Sequence, residues 1–541
     1  MSYSVSTILT AVTLLISIAW FITLANLIQR LFSDASLPPH IPWAGTRGQH
    51  NLYARARANF TSIGHLKALL DEGYKKYSKN GQTYVLPYYI NGPQVILPNS
   101  QIRWLLEQPD SVLSQERVNR QFLEADYTFL HASLVDSPVH PEIIQHQLTK
   151  KINTFADDIV EEANLCLGEI WGKDVEEWRE VNVYDTMLAL IARLSTRVFM
   201  GLPLCRDPGF LNASSGFIRK VAITAAAISL LPRFLKPLAG PILTLYDRLQ
   251  YYRCSKFIMP IIHDRLKLLK YPEPEEKCET PNDYIQWAID HALAKPVVNP
   301  MELDPHVIAI RFSILAFAAI QSSVITLTNT LFDLAASPNS LTSQVVMRDE
   351  VLRETTPVPA LDLKSAQDTG VWSKASLSRM SHIDSALRES LRLNGFIERG
   401  VMKMVVAPEG VTLPDGSHIA RGTKVGVSGY SIHHDEDIYA DANTYDPFRF
   451  TAARPSGDEK KKKKKGPQSL VSTSETFMGF SHGSHACPGR FFAANQLKIA
   501  LAHIALLYEV EPISERPANK WFFGHIAPPL SGTLRVRRRK V

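Results

Sequence analysis

Near the end of the sequence, Phe477–Arg490 reads F-M-G-F-S-H-G-S-H-A-C-P-G-R. Cys487 lies between two glycines, Gly483 and Gly489, and runs straight into Pro488. The apolar-periodic stretch Phe491 to Val510 predicts a helix, with Pro488 at its first position, where a missing N–H costs nothing. A thiol at a helix N-terminus faces free backbone N–H groups and the positive end of the dipole, and both favour thiolate. Anionic sulfur held in such a turn is a metal ligand. An isolated Cys-Pro-Gly would be read as a small buried cysteine, but here the neighbours also fall into register.

Phe480, Gly483, His485, Cys487, Gly489 and Arg490 spell F-x-x-G-x-H-x-C-x-G-R, which resembles the haem-binding loop of the cytochrome P-450 family. The resemblance implies heme b with Cys487 as its axial thiolate on iron. Phe480, Gly483, His485 and Gly489 are then expected to cradle the cofactor. The implied fold is mainly α with a small β region, behind an N-terminal transmembrane helix.

A second cluster, Gln321-Ser322-Ser323, sits in the middle of Asp304–Ala336, a stretch predicted as one continuous helix with Asp304 as cap and Pro305 in the first turn. Hydroxyls inside an apolar helix bond back to the preceding turn and bend it. Under the resemblance, Ala318 and Ala319 take the small-residue positions that clear the haem. Gln321 falls where the family carries an acid, and Ser322 where it carries a threonine that manages protons. An amide cannot ionise, so proton delivery would lean on water held by Gln321 and Ser322. Oxygen activation is expected to be slower or leakier for it.

Glu389 and Arg392 stand three residues apart in S-A-L-R-E-S-L-R-L, on one helical face, and Y-D-P-F-R-F supplies Arg449. A surface pair of this kind contributes little. The resemblance instead implies a buried structural triad that locks the haem-loop framework. Arg399 is the candidate for a haem propionate, with Lys150 and Lys151 as weaker ones in the predicted helix His140–Lys151.

The elements that must hold these groups are spread over 541 residues without repeats or long Gly/Ser linkers. A net charge of +6 over this length argues against a nucleic-acid partner. Five scattered cysteines (Cys166, Cys205, Cys254, Cys278, Cys487) fit neither a disulfide framework nor a zinc spacing, which suits a reducing compartment. No charge precedes Arg30, and Val5–Ile28 is apolar enough to span a bilayer as a helix of about 36 Å. Residues 1–30 are therefore read as a single-pass anchor, 31–45 as a hinge stiffened by the prolines of Leu37–Pro42, and 46–541 as the haem domain. Arg30 and Arg47 place the body in the cytosol. The resemblance makes the membrane that of the endoplasmic reticulum, leaving the sequons at Asn59 and Asn212 unglycosylated.

Tyr84–Pro98 and Val411–Val425 read as strand hairpins. Phe122–Pro138, with Tyr127, Phe129 and Leu130, is expected to cover the distal side. Glu176–Cys205 resembles helices of filamentous-fungal members, with Arg193 and Arg197 on a solvated edge. Phe217–Leu249 suits either a helix–loop–helix roof dipping toward lipid or an ordinary buried helix pair. Glu273–Thr280 reads as a polar surface loop and Phe523–Leu530 as a candidate pocket wall. Lys460–Lys465 is either a solvated charge run or a steering patch for an acidic electron donor. The stretch after Cys487 is too short for a flavin or nicotinamide domain, so electrons are expected from NADPH–cytochrome P-450 reductase, with cytochrome b5 a second candidate. The implied function is a membrane-bound monooxygenase acting on a hydrophobic small molecule, a terpenoid or steroid-like skeleton by family analogy. Two alternatives are a haem-thiolate isomerase or dehydratase needing no reductase, and a catalytically idle haem-binding protein.

Overall fold

In the computed structural model, residues 5–32, 37–49, 51–131, 134, 139–270, 281–355, 372–451, 468–522 and 525–540 are described. The readings at Glu273–Thr280 and Lys460–Lys465 lie outside these residues. The chain is mainly helical with small sheets.

Helix α1 (Val5–Leu31) is followed by α2 (Leu52–Lys76), whose N-cap Asn51 accepts from the Ala54 N–H. The end of α1 is tied to the body. Arg30 donates to the carbonyls of Ile90 (2.9 Å), Ser229 (3.0 Å) and Leu231 (3.2 Å). Tyr89 donates to Leu27 O at 2.9 Å, and Asn59 to Leu31 O at 2.9 Å. Asn59 is buried, which leaves no room for a glycan there.

Five short strands form the larger sheet: β1 (Tyr84–Leu86), β2 (Gln94–Ile96), β3 (Leu113–Ser114), β4 (Gly400–Val405) and β5 (Lys424–Val427), in the order β1-β2-β5-β4-β3. The predicted Tyr84–Pro98 hairpin is the antiparallel β1/β2 pair. Only part of the second one forms: Val411–Thr412 pairs with His418–Ile419, while Lys424 and Val425 leave it for β5, parallel to β2. Val95, Leu113, Val405, Val425 and Val427 face one apolar cluster, so the alternate residues face the other way.

Beyond α3 (Gln115–Phe122), the predicted helix His140–Lys151 is interrupted by a wider π turn over Ile144–Leu148. Helix α4 (Val183–Phe199) does not have a solvated arginine edge: Arg193 is buried against Glu162 and Glu169, and Arg197 reaches Asp158 at 2.7 Å. Those acids lie on Ala156–Ile170, so the arginines join two helices. The stretch Phe217–Leu249 falls on three helices rather than two, α5 (Pro208–Leu230), α6 (Lys236–Leu243) and a long partner, Leu245–Lys270.

Helix α7 (Pro305–Ala336) begins where its cap predicts, with Asp304 Oδ1 accepting from the His306 (2.7 Å) and Val307 (3.3 Å) amides. It packs against α4, α5, α8 (Ser381–Leu393) and α9 (Arg490–Leu507). It is apolar enough to cross a membrane, but most of it is buried, so it is the spine of the core. Helix α9 starts at Arg490 with Gly489 as N-cap, and Pro488 therefore precedes the helix instead of opening it. It stops at Leu507 because Tyr508–Val510 is drawn into a three-stranded sheet with Thr533–Arg538 and Arg179–Asn182.

Candidate active site

The loop before α9 is closed by its own backbone. The Cys487 N–H donates to Phe480 O at 2.9 Å, Ser481 N–H to Met478 O at 2.8 Å, and Ala486 N–H to Gly483 O at 3.1 Å. Gly483 has φ +79°, and a Cβ there would lie 2.6 Å from Leu106 Cδ2, so both backbone and space require glycine. Arg490 folds back to donate to Cys487 O at 2.9 Å. Burial raises the Cys487 thiol pKa above its ordinary value, against the amides of Gly489 and Arg490 and the Arg490 guanidinium, which lower it. The amides of the helix terminus and the Arg490 guanidinium thus act in the direction expected from sequence, against the burial of the thiol.

Two features show that this framework fits a haem. Ala318 is exposed in the middle of an otherwise buried helix, flanked by half-buried Phe317, Ala319, Gln321 and Ser322. A small-residue window of this kind within a core helix faces internal space rather than packed side chains. Ala319 and Phe480 flank the same apolar core cluster, so the distal helix and the cysteine loop share one framework. Bound there, haem would be held by Cys487 and would supply the dioxygen and one-electron chemistry that no side chain offers.

Gln321 and Ser322 are not joined to each other. Ser322 Oγ donates to Ala318 O at 3.0 Å, Ser323 Oγ to Ala319 O at 2.9 Å, and the Gln321 amide turns to the Tyr184 hydroxyl at 3.3 Å. Tyr184, on α4, was not legible as a site residue. His485 faces Asp110 Oδ1, 2.8 Å from its Nε2. Arg399 donates to Gln94 Oε1 at 2.9 Å and stacks over Tyr88 at 4.3 Å, beside the buried Glu398. Burial pushes the Glu398 carboxyl up to about 7, with Arg399 opposing. Lys150 and Lys151 sit at the end of the interrupted helix, where Lys151 lies over the Trp287 ring at 5.8 Å.

Glu389, Arg392 and Arg449 meet in the interior. Arg392 donates to both Glu389 oxygens (Nε 2.7 Å, Nη2 2.8 Å), and Arg449 Nε to Oε1 at 2.7 Å. The remaining guanidinium protons go to carbonyls: His433 and Ala442 (2.8 Å) from Arg392, Ala440 (2.5 Å), Asp441 (3.1 Å) and Thr444 (3.0 Å) from Arg449. The cluster reaches the cysteine loop in one step, because His433 Nε2 accepts the Met478 N–H at 3.0 Å. Arg388, which the sequence reading passed over, adds a second tie: it donates to Ser469 O (2.5 Å) and Ser472 O (2.7 Å) and covers the Phe477 ring at 3.6 Å.

Comparison with known proteins agrees with this architecture. The family model described as Cytochrome P450 matches residues 139–532. Cytochrome P450 monooxygenase gloP of Glarea lozoyensis is 32% identical over 92% of this chain and 91% of its own. Cytochrome P450 monooxygenase 151 of Postia placenta is 35% identical over 87% of this chain and 89% of its own. Cytochrome P450 monooxygenase polB of Polytolypa hystricis is 32% identical over 93% and 94%.

Proposed function

The chain belongs to the cytochrome P450 family, and on that premise we propose that it is a membrane-anchored monooxygenase acting on a hydrophobic small molecule. The family binds haem through a cysteine thiolate and incorporates oxygen into its substrate. Cys487, in a loop closed by its own amide, is the observation that carries the assignment of the iron ligand to this chain. Phe480, Gly483, His485 and Gly489 are proposed to shape the haem's proximal bed, and Arg399 to meet a propionate. Glu389, Arg392 and Arg449 hold the loop's framework.

Ser322 is proposed as the group that holds the proton nearest the reacting oxygen. Its hydroxyl is spent as a donor on Ala318 O, so toward a further partner its oxygen serves as an acceptor. The Gln321 amide stays neutral, so protons reach Ser322 through water rather than through an ionising neighbour. Ala318 and Ala319 leave room for the cofactor. Residues 1–30 are proposed as the anchor and 31–45 as the hinge of an endoplasmic-reticulum protein whose body lies in the cytosol. Electrons would come from NADPH–cytochrome P-450 reductase, steered by Lys460–Lys465, with cytochrome b5 as a second donor. A terpenoid or steroid-like substrate rests on family analogy.

The test is spectroscopic and then chemical. The reduced, carbon-monoxide-treated full chain should show the thiolate-type Soret band, and Cys487→Ser should lose it. Reconstitution with reductase under labelled dioxygen should put one labelled oxygen in the product. Turnover without NADPH would replace the monooxygenase reading with an isomerase or dehydratase.

A further inference from the structure

Among the described residues the buried lysines are paired, with one exception. Lys403 donates to Gln108 O at 2.9 Å, and Lys498 to Asp384 Oδ1 at 2.9 Å. Lys424 is 6% exposed yet has no hydrogen-bond or ion-pair partner among the described residues. It opens β5, where Val425 and Val427 enter the apolar cluster. By strand alternation Lys424 and Gly426 face the other side. Met402 packs there, since a Cβ on Gly426 would fall 2.0 Å from its Sδ. Helix α3 crosses β4 beside it.

The charges acting on Lys424 are Arg399, Glu124 and Lys236. Glu124 is already bound to Lys236 at 2.5 Å in a mostly buried pair. Glu398 lies 3.6 Å from the Arg399 Nε, both of its oxygens lack hydrogen-bond partners, and so does that Nε. One cationic side chain is thus left without an anion in a region already rich in cations. An ammonium is not buried this way without a large cost unless something neutralises it. Burial lowers Lys424 to about 7, so an incoming anion would find it ready to take up a proton.

We propose that Lys424 is a carboxylate-binding subsite, taking the carboxylate of an otherwise apolar molecule. Two molecules bring that chemistry here: an acidic amphipathic substrate, or a propionate of the haem itself. The inference deepens the monooxygenase reading and rests on it.

The experiment uses the full chain and Lys424→Met, with Lys424→Arg as the charge-keeping control. One arm titrates the haem-free protein with haem and with its dimethyl ester. A propionate source predicts about ten-fold weaker haem binding in Lys424→Met, with the difference abolished by the ester. The other arm compares laurate with dodecanol by equilibrium dialysis on haem-loaded protein. A substrate source predicts that the wild type prefers the acid and that Lys424→Met loses that preference about ten-fold while Lys424→Arg keeps it. Wild-type haem affinity in Lys424→Met together with an acid-to-alcohol ratio that Lys424→Met leaves unchanged overturns the proposal. Failure of the underlying reading is separate: it shows as absence of the thiolate-type band in the wild type.

Discussion

Replacing Glu389 with alanine should strip haem from the protein rather than slow its chemistry. Glu389 and Arg392 are fully buried as side chains and Arg449 is 3% exposed, so the carboxylate neutralises two guanidiniums that water does not reach. Removing one partner of a buried pair costs about 3–5 kcal/mol. The upper end applies here, because both arginines are also held by backbone carbonyls and cannot swing out to solvent. A loss of that size is comparable to much of the roughly 5–15 kcal/mol by which a domain is stable. It falls on the segment one hydrogen bond from Met478 and the cysteine loop. The assay is haem stoichiometry and the reduced carbon-monoxide spectrum, beside denaturant unfolding of the haem-free chains. A companion variant, Glu389→Ala with Arg392→Met and Arg449→Met, removes the orphaned charges and should recover part of the loss. A haem-loaded Glu389→Ala protein with wild-type unfolding would refute the argument, and no recovery in the companion would show that charge burial is not its cause.

Gln321→Glu should raise product formed per peroxide released, since it supplies the ionisable group that Gln321 lacks; equal coupling in both proteins would refute this. Acidification should destabilise the fold. Burial lowers His433 to about 3 and His434 and His503 to about 4, so between the ordinary histidine pKa of 6.5 and about 4 the unfolded chain binds up to three more protons. The histidines' contribution is complete above 6.5 and is lost as pH falls through that window, at on the order of 4 kcal/mol per pH unit if all three act. Denaturant midpoints measured across pH 7 to 4 check it, and a flat profile would exclude it. Deleting Lys460–Lys465 should slow reductase-dependent reduction severalfold at low salt and leave it unchanged at high salt; equal rates at low salt would leave the run without a steering role.

The sequence was most informative where the chemistry is local. Asp304 and Pro305 set the start of α7 because a cap and a first-turn proline act within four residues. Cys487 and its glycines were legible for the same reason: their spacing makes the turn. Long-range pairing was not legible. Pro414-Asp415-Gly416 announces a turn but says nothing about the distant parallel partner that draws Lys424 and Val425 away. Arg193 and Arg388 carry charges that suggest solvent, yet both are buried because acids or carbonyls from other segments meet them. The π turn at Ile144–Leu148 has no composition of its own, so a periodic helix was the natural reading.

Arg30 gives the first helix a second duty. Its guanidinium closes three main-chain oxygens at Ile90, Ser229 and Leu231, two of which lie at the end of α5. A shortened version that begins after Leu31 would uncover those oxygens together with the amide of Asn59 and the hydroxyl of Tyr89. Removing the first helix is then also a change to the end of α5, and ligand-binding rates measured on such a truncation would describe a body with three uncovered carbonyls.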